Sequence, residues 1–528
     1  MNNQKIFILG LDGADYHYVK YLMKLDVLPN LKKIAQNGIF CPLRSTEPPN
    51  SFPAWTSFST GVNPGKHGIF YPAIFRDGSY RGRIVKSTDI KVPTIWRLFS
   101  EVGVSVGLIN LPMTYPPHPI NGFMVTSILT PGLHSNFTYP ENLKFEILKK
   151  FPNYQIETPM NEGIDKFYEC AKIRKKLITY LFDKYKTDIK VAIFTELDRI
   201  QHKYWNNSDV INNYYVFMDQ IVGELWNRYG TDSNFIIVSD HGFGPSLIKF
   251  NVNVWLKKLG LLEFNEEKIE DSLSRIKTKF LEKVKPYFKK VFTKLCIIED
   301  IRKIRRKILG EHEDSTVAEL ADKIDWTKTK AYFREDMGIR INLRGREVQG
   351  IVPQEEYYPL LEYIITEAKK LKDEYHGHFF IKGGLLAHDI YQGEMADFAP
   401  DLQFKFHSFY NRCPRVNWGK NKKIIELNDE NPGRHMEDGI FLAIGPVINN
   451  NFNGRLRIID VAPNILFIKG LNIPKYMDGK IVKEIYKESF LEKNKISFSD
   501  LSLHIDEEIP HEADAEEIKS RLKDLGYM

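Results

Sequence analysis

Seven residues of this chain have the types needed for phosphoryl transfer at a pair of metal ions. They are Asp12 in ILGLDGADY, Ser51 in PPNSFPAWTS, Asp198 and His202 in LDRIQHKYW, Asp240 and His241 in VSDHGFGP, and His435 in GRHMEDG. Divalent first-row metals favour mixed shells of imidazole nitrogen and carboxylate oxygen. Two such ions can activate a serine oxygen and also stabilise the leaving oxygen of an in-line displacement. The set reads as a hydrolase of phosphate esters.

Three of these residues close strand-like runs. KIFILGLDG, VAIFTELD and NFIIVSDHG are apolar stretches that end in polar residues, the pattern of buried strands with functional carboxyl ends. Ligands of open α/β sheets gather at those ends, so Asp12, Asp198 and Asp240 are expected to converge despite their distance in sequence. Helical patterns such as FYECAKIRKKLITYLFDKY and INNYYVFMDQIVGELWNRYG alternate with the strands. The expected fold is therefore α/β, a mainly parallel central sheet covered by helices on both faces. Asp198 and His202, four apart, either share one helical face or straddle a strand end.

With 528 residues, 43% of them hydrophobic, the chain can bury a large core. A net charge of +6, from 74 Lys and Arg against 68 Asp and Glu, is too balanced for a dedicated nucleic-acid binder. The basicity is local: residues 268–308 hold 14 Lys and Arg against 5 Asp and Glu. Apolar residues recur there at spacings of three and four, so an amphipathic helical stretch with a kink near Pro286 is expected. It either packs on the core, caps the site for anionic substrates, or makes peripheral membrane contact.

The organisation read from these features is a catalytic core at 1–255 and 326–480 and a basic helical insertion at 256–325. An acidic tail with a short peripheral helix through Ile518, Leu522 and Leu525 follows at 481–528. Cys41, Cys170, Cys296 and Cys413 are scattered and form no CxxC pair, so neither a disulfide framework nor a thiolate metal site is indicated. The apolar N-terminal run leads straight into Asp12, no later stretch reaches the length of a membrane span, and a cytoplasmic protein is expected.

The motifs, in this order, resemble the alkaline phosphatase superfamily, and within it the type I phosphodiesterase and nucleotide pyrophosphatase branch. STGVNPGKHGIF, APDL at 399–402, GIFLAIGP at 439–446 and MDGK at 477–480 extend the resemblance from Lys5 to about Lys480. It implies two divalent ions, zinc or alternatively manganese. Asp198, His202 and His435 would hold the first, and Asp12, Ser51, Asp240 and His241 the second. It also implies that Ser51 is the nucleophile, at a helix N-terminus, with a phosphoserine intermediate.

Thr56 is the competing hydroxyl in that segment. Trp55 stands where the sulfatase branch requires Arg, which argues against a sulfatase. Ala54 stands where nucleotide pyrophosphatases usually carry Asn, so another donor must meet the phosphoryl oxygen; Lys66, Asn50 and the N–H after Ser51 are the candidates. His67, His376, His378 and His388 are read as structural. The expected substrate is a small-molecule or lipid-linked phosphate ester, with no specific nucleic acid. A phosphomonoesterase or phosphonate hydrolase on the same fold is the enzymatic alternative, and an anionic-ligand or membrane-surface binding protein the non-enzymatic one.

Overall fold

The structure, a computed structural model, describes residues 3–75, 78–265, 321–334, 338–407, 410, 414–415, 423–428, 433–500 and 515–526. The basic segment 268–308, with its expected helix, kink and cap or membrane role, lies outside the described residues, as does the acidic run up to Asp514.

Nine strands form the central sheet. In chain order they are β1 (Ile6–Leu11), β2 (Ile39–Arg44), β3 (Val106–Ile109), β4 (Gly122–Val125), β5 (Thr138–Tyr139), β6 (Ile189–Phe194), β7 (Asn234–Val238), β8 (Asp438–Ile444) and β9 (Leu456–Arg457). Their spatial order is β9-β2-β8-β7-β1-β6-β3-β4-β5. Strands β7, β1, β6, β3 and β4 run parallel; β8 runs antiparallel to both its neighbours, and β5 antiparallel to β4. The expected α/β architecture is the one observed.

Alternation along β1 explains why the sheet is covered twice. Phe7, Leu9 and Leu11 enter one hydrophobic core, whereas Ile6 and Ile8 enter the other. The first core takes residues of helices α1 (Tyr16–Lys24), α3 (Ile164–Lys184), α4 (Glu196–Tyr204) and α5 (Ser208–Tyr229). The second takes residues of α2 (Ser51–Thr60) and α6 (Ile458–Ile468). A strand buried on both faces must be apolar throughout, and all six residues of β1 are buried.

A smaller antiparallel sheet is built from Ala331–Phe333, Ile339–Ile341, Leu402–Phe406 and Ile381–Leu386, in that spatial order; the alternation in WTKTKAYF and IRINLRGRE marks its first two strands but not their separate sheet. It has its own apolar core, which includes Trp255, Leu262, Phe264, Ile324 and Trp326. Residues 256–265 and 321–325, assigned above to the insertion, thus pack into this second body. The C-terminal end also differs from the expectation of a peripheral element. Helix α7 (Ala515–Asp524) buries Ile518 and Leu522 completely and, with Leu525, joins a cluster containing Phe52, Met113 and Leu129. Each such side chain contributes roughly 1.5–3 kcal/mol of burial. Ile485, Tyr486 and Phe490 likewise belong to the main core.

Candidate active site

Strands β7, β1 and β6 are adjacent, so the residues just past their carboxyl ends are neighbours. Asp12 follows β1 directly, and Asp240 lies two residues past β7. Asp198 differs: β6 stops at Phe194, and Asp198 sits in the first turn of α4. Asp198 and His202 therefore share one helical face, with His202 Nε2 3.6 Å from Asp198 Oδ1. Gly13 makes this proximity possible. Its φ is +75°, and a Cβ there would meet the Asp198 Cα at 3.1 Å.

The structure brings all seven expected residues together. Ser51 opens α2, whose preceding residue Asn50 accepts from the Phe52 N–H at 3.1 Å. Ser51 Oγ lies 3.2 Å from His241 Nε2. The same nitrogen is 3.3 Å from Asp240 Oδ2, 3.5 Å from Asp12 Oδ1 and 3.9 Å from Asp198 Oδ1. His435, carried by the strand Gly433–Met436, places Nε2 3.1 Å from Asp198 Oδ1 and 2.8 Å from His202 Nε2.

Two imidazoles are oriented by backbone carbonyls. His241 Nδ1 is 3.0 Å from the Gly242 oxygen and His435 Nδ1 is 3.3 Å from the Pro49 oxygen. A carbonyl only accepts, so Nδ1 is the donor in both rings and each Nε2 presents its lone pair to the carboxylates. This arrangement of an Nδ1–H donor and an Nε2 lone pair is how histidine ligates a cation.

The donor set fits metal ions on an independent ground. Asp12 Oδ1, both oxygens of Asp198, and Asp240 Oδ2 are buried and accept no hydrogen bond. Unpaired anionic oxygens inside a protein are costly. Burial and the facing charges of Asp240 and Asp198 push the Asp12 carboxyl well above its usual range, and burial with the Asp198 charge pushes Asp240 up to about 8. Cations would reverse both shifts. Ligand atoms of Asp198, His202 and His435 lie within 4.8 Å of one another, as do those of Asp12, Asp198 and His241. Asp198 belongs to both groups.

A family model described as type I phosphodiesterase / nucleotide pyrophosphatase matches residues 6–378. The chain belongs to that family. It is accordingly a phosphoric ester hydrolase. Among solved structures it is similar to murine ectonucleotide pyrophosphatase / phosphodiesterase 5, at 13% identity and a TM-score of 0.51, covering 92% of this chain and 100% of that one. It is also similar to phosphonoacetate hydrolase from Sinorhizobium meliloti 1021, in complex with phosphonoformate. That match has 13% identity and a TM-score of 0.53, covering 87% of this chain and 94% of that one. At such identity these likenesses speak for the fold. No curated protein sequence matches the chain.

Within this family site, several residues read from the sequence turn out to have other roles. Lys66 is not placed as a phosphoryl donor: its ammonium pairs with Asp478 at 2.5 Å and donates to the Tyr476 oxygen at 2.8 Å. Asp478 also accepts from the Asn63 N–H at 2.9 Å, so MDGK is a clamp on the loop that follows α2. Thr56 Oγ1 donates to the Phe52 oxygen at 2.7 Å, a helix-internal bond, and shows no contact with the carboxylate cluster. Asp401 of APDL is structural, accepting from Arg346, the Ile341 N–H and Tyr357.

His67 is buried and bridges Ser57 Oγ, at 3.0 Å, to the Ile69 N–H. His376 pairs with Asp373, and His388 with Asp389.

Sequence reasoning missed Trp55 as a member of the site. Its Nε1 donates to Asp12 Oδ2 at 3.1 Å, holding that carboxylate from the helix that carries Ser51. The signal was present, since a buried Trp four residues after the nucleophile returns to its face one helical turn on.

Proposed function

We propose that this protein is a metal-dependent phosphodiesterase of the nucleotide pyrophosphatase type, with Ser51 as nucleophile. One observation carries the reading. The Ser51 hydroxyl lies beside six convergent carboxylates and imidazoles, and four of the buried carboxylate oxygens accept no hydrogen bond. Asp198, His202 and His435 would hold one divalent ion, and Asp12, Ser51, Asp240 and His241 a second, with zinc or manganese matching the mixed donors. Such ions, when bound, supply Lewis-acid stabilisation of charge on the reacting oxygens.

The chain's own residues account for positioning. Ser51 sits in the first turn of α2, where the helix N-terminus favours phosphate. Attack by Ser51 Oγ on phosphorus breaks the bond to the leaving alcohol and gives a phosphoserine. A water then displaces the serine, which regains its proton. His241 Nε2 faces the hydroxyl and accepts its hydrogen bond in the resting state. Asn50 uses Oδ1 on the Phe52 N–H, which leaves its amide NH₂ beside Ser51 in place of the missing Asn at position 54.

The engagement of Lys66 by Asp478 favours a diester over a monoester. A monoester calls for a further cation to meet its extra charge, and Lys66, offered by the sequence only as a phosphoryl donor, is already paired with Asp478. The buried free thiols of Cys41 and Cys170 favour a reducing compartment; no helix among the described residues is long and apolar enough to cross a membrane.

The test compares bis-aryl phosphate, mono-aryl phosphate, aryl phosphonate and aryl sulfate with purified protein loaded with zinc or manganese. The diester is expected to be turned over fastest and the sulfate not at all. Preference for the monoester or for the phosphonate would replace this reading with the corresponding alternative.

A further inference from the structure

A cleft of about 840 Å³ separates the main body from the small sheet, lined among others by Tyr21, Trp205, Phe243, Phe406, Lys382 and Lys405. It adjoins one half of the candidate site. The Phe243 ring packs edge-on against His202, 4.7 Å between centroids, and lies 5.6 Å from His435. From Phe243 an aromatic row runs outward through Trp205 at 5.3 Å and Tyr18 at 6.3 Å to Tyr21, which is 55% exposed. The cleft thus adjoins the His202 and His435 side through Phe243, while Pro48 and Pro49, just before Ser51, line its near edge. In an in-line displacement the leaving oxygen departs opposite the nucleophile, so the group it carries would lie toward this cleft.

The charges around the cleft are unevenly satisfied. Arg44 reaches Glu437 at 3.0 Å and Glu47 at 3.8 Å, and Asp438 pairs with Arg455 at 2.7 Å. Asp15 caps α1 by accepting from the Tyr18 N–H. Each acid of the cleft thus has a partner, Arg44 being shared by Glu437 and Glu47 and Asp15 held by backbone N–H groups. Lys382 and Lys405, both exposed, have neither an ion pair nor a hydrogen bond among the described residues. They come from paired strands: Gly383 faces Lys405, and the register shift between Ile381 and Gly383 falls at Lys382. A bulge adds a residue without a partner and re-aims its side chain, and Lys382 at the bulge and Lys405 on the paired strand both line the cleft.

We infer that this cleft is the leaving-group subsite and selects phosphodiesters whose leaving portion joins an aromatic ring to an anionic group. The ring lies along Tyr21 and Trp205, and the anion meets Lys382 and Lys405. The inference rests on the phosphodiesterase reading above and adds its substrate class. Ring stacking and a charge-assisted contact are the interactions that this pair of walls supplies.

The test uses two substrates that differ only in one charge, methyl 2-naphthyl phosphate and methyl 6-sulfo-2-naphthyl phosphate. Metal-loaded wild type should favour the sulfonated ester in kcat/KM. Lys382→Ala with Lys405→Ala should reduce that ester's kcat/KM by roughly fivefold to tenfold, more at low salt, and leave the uncharged ester within about twofold. Equal loss or no loss for both esters would overturn the subsite.

Binding of 2-naphthalenesulfonate, read by tryptophan fluorescence, separates this inference from the reading beneath it. If wild type hydrolyses neither ester, the phosphodiesterase reading fails. The anion recognition then stands only if the double variant weakens sulfonate binding by a similar factor, and an unchanged affinity rejects it.

Discussion

Two buried carboxylate clusters in this molecule are solved in opposite ways. In the small sheet, Asp401 is 2% exposed, and burial alone would raise its carboxyl. Arg346, at 2.7 Å, with Arg340 and the Ile341 N–H, overrides burial and holds it below the usual range. At the sheet ends of the main body, Asp12, Asp198 and Asp240 are buried as deeply, yet they face one another and their carboxyls are pushed up at Asp12 and Asp240. Where a buried carboxylate holds the fold together, the chain supplies its cation. Where the chain withholds one, the acids are left as a donor set fit for a cation from outside.

Removing that external cation should break the comparison most severely. Chelation is expected to abolish turnover, and elemental analysis of loaded protein should find two divalent ions per chain. Loss of ligands that bind only the folded state should also lower the unfolding midpoint, by about 2.7 kcal/mol of stability for metal previously at a hundred times its Kd. Full activity in strong chelator with one ion or fewer per chain would sink the two-metal reading.

Ser51→Ala should lower kcat by several orders of magnitude while melting temperature stays near wild type and the ion of Asp198, His202 and His435 is retained, since the serine is a reacting group and not a core contact. Retained activity in this variant, with Thr56→Ala inactive, would move the nucleophile to Thr56.

The converse change in the small sheet should affect stability instead of chemistry. Asp401→Ala removes the two-oxygen partner of Arg346, leaving it Glu347, and also strips the Ile341 N–H and Tyr357 of their acceptor; it is expected to cost about 3 kcal/mol in denaturant unfolding, with metal content unchanged. Metal loss in that variant would show that the two clusters are not independent. A finer probe is Trp55→Phe, which keeps the ring but removes the donor to Asp12. Metal affinity should fall about 10–100-fold, read by competition with a coloured chelator.

The smallest effect concerns His67, where burial lowers the imidazole to about 3. Its unfolded value is near 6.5, so its contribution is complete above that pH and is lost as pH falls from there toward 3. The slope is at most about 1.4 kcal/mol per pH unit. His67→Gln should flatten this part of the stability profile between pH 7 and pH 5.

Much of the site was legible in the sequence because its parts are local. An apolar run ending in Asp marks a buried strand and its carboxyl end, as at Asp12 and Asp240, whereas the helix start at Ser51 came from the resemblance and its cap by Asn50 from the structure. The role of Lys66 was not legible, because its partner Asp478 lies 412 residues away. APDL could be matched to a family but not explained until Asp401 was seen to be clasped by Arg346. The helix Ala515–Asp524 shows an ordinary amphipathic pattern, which states that one face is covered without saying by what.

By itself, the sequence determined the chemical inventory, the alternation of strand and helix, and hence the sheet whose ends collect the acids, since periodicity and side-chain type are properties of short segments. Only the tertiary structure decided which acids are left without a cation among the described residues, that Trp55 reaches Asp12, and that two lysines beside an aromatic cleft have no partner among those residues. Those facts depend on which distant segments meet. Pairing of charges across hundreds of residues is fixed by packing, and no local pattern records it.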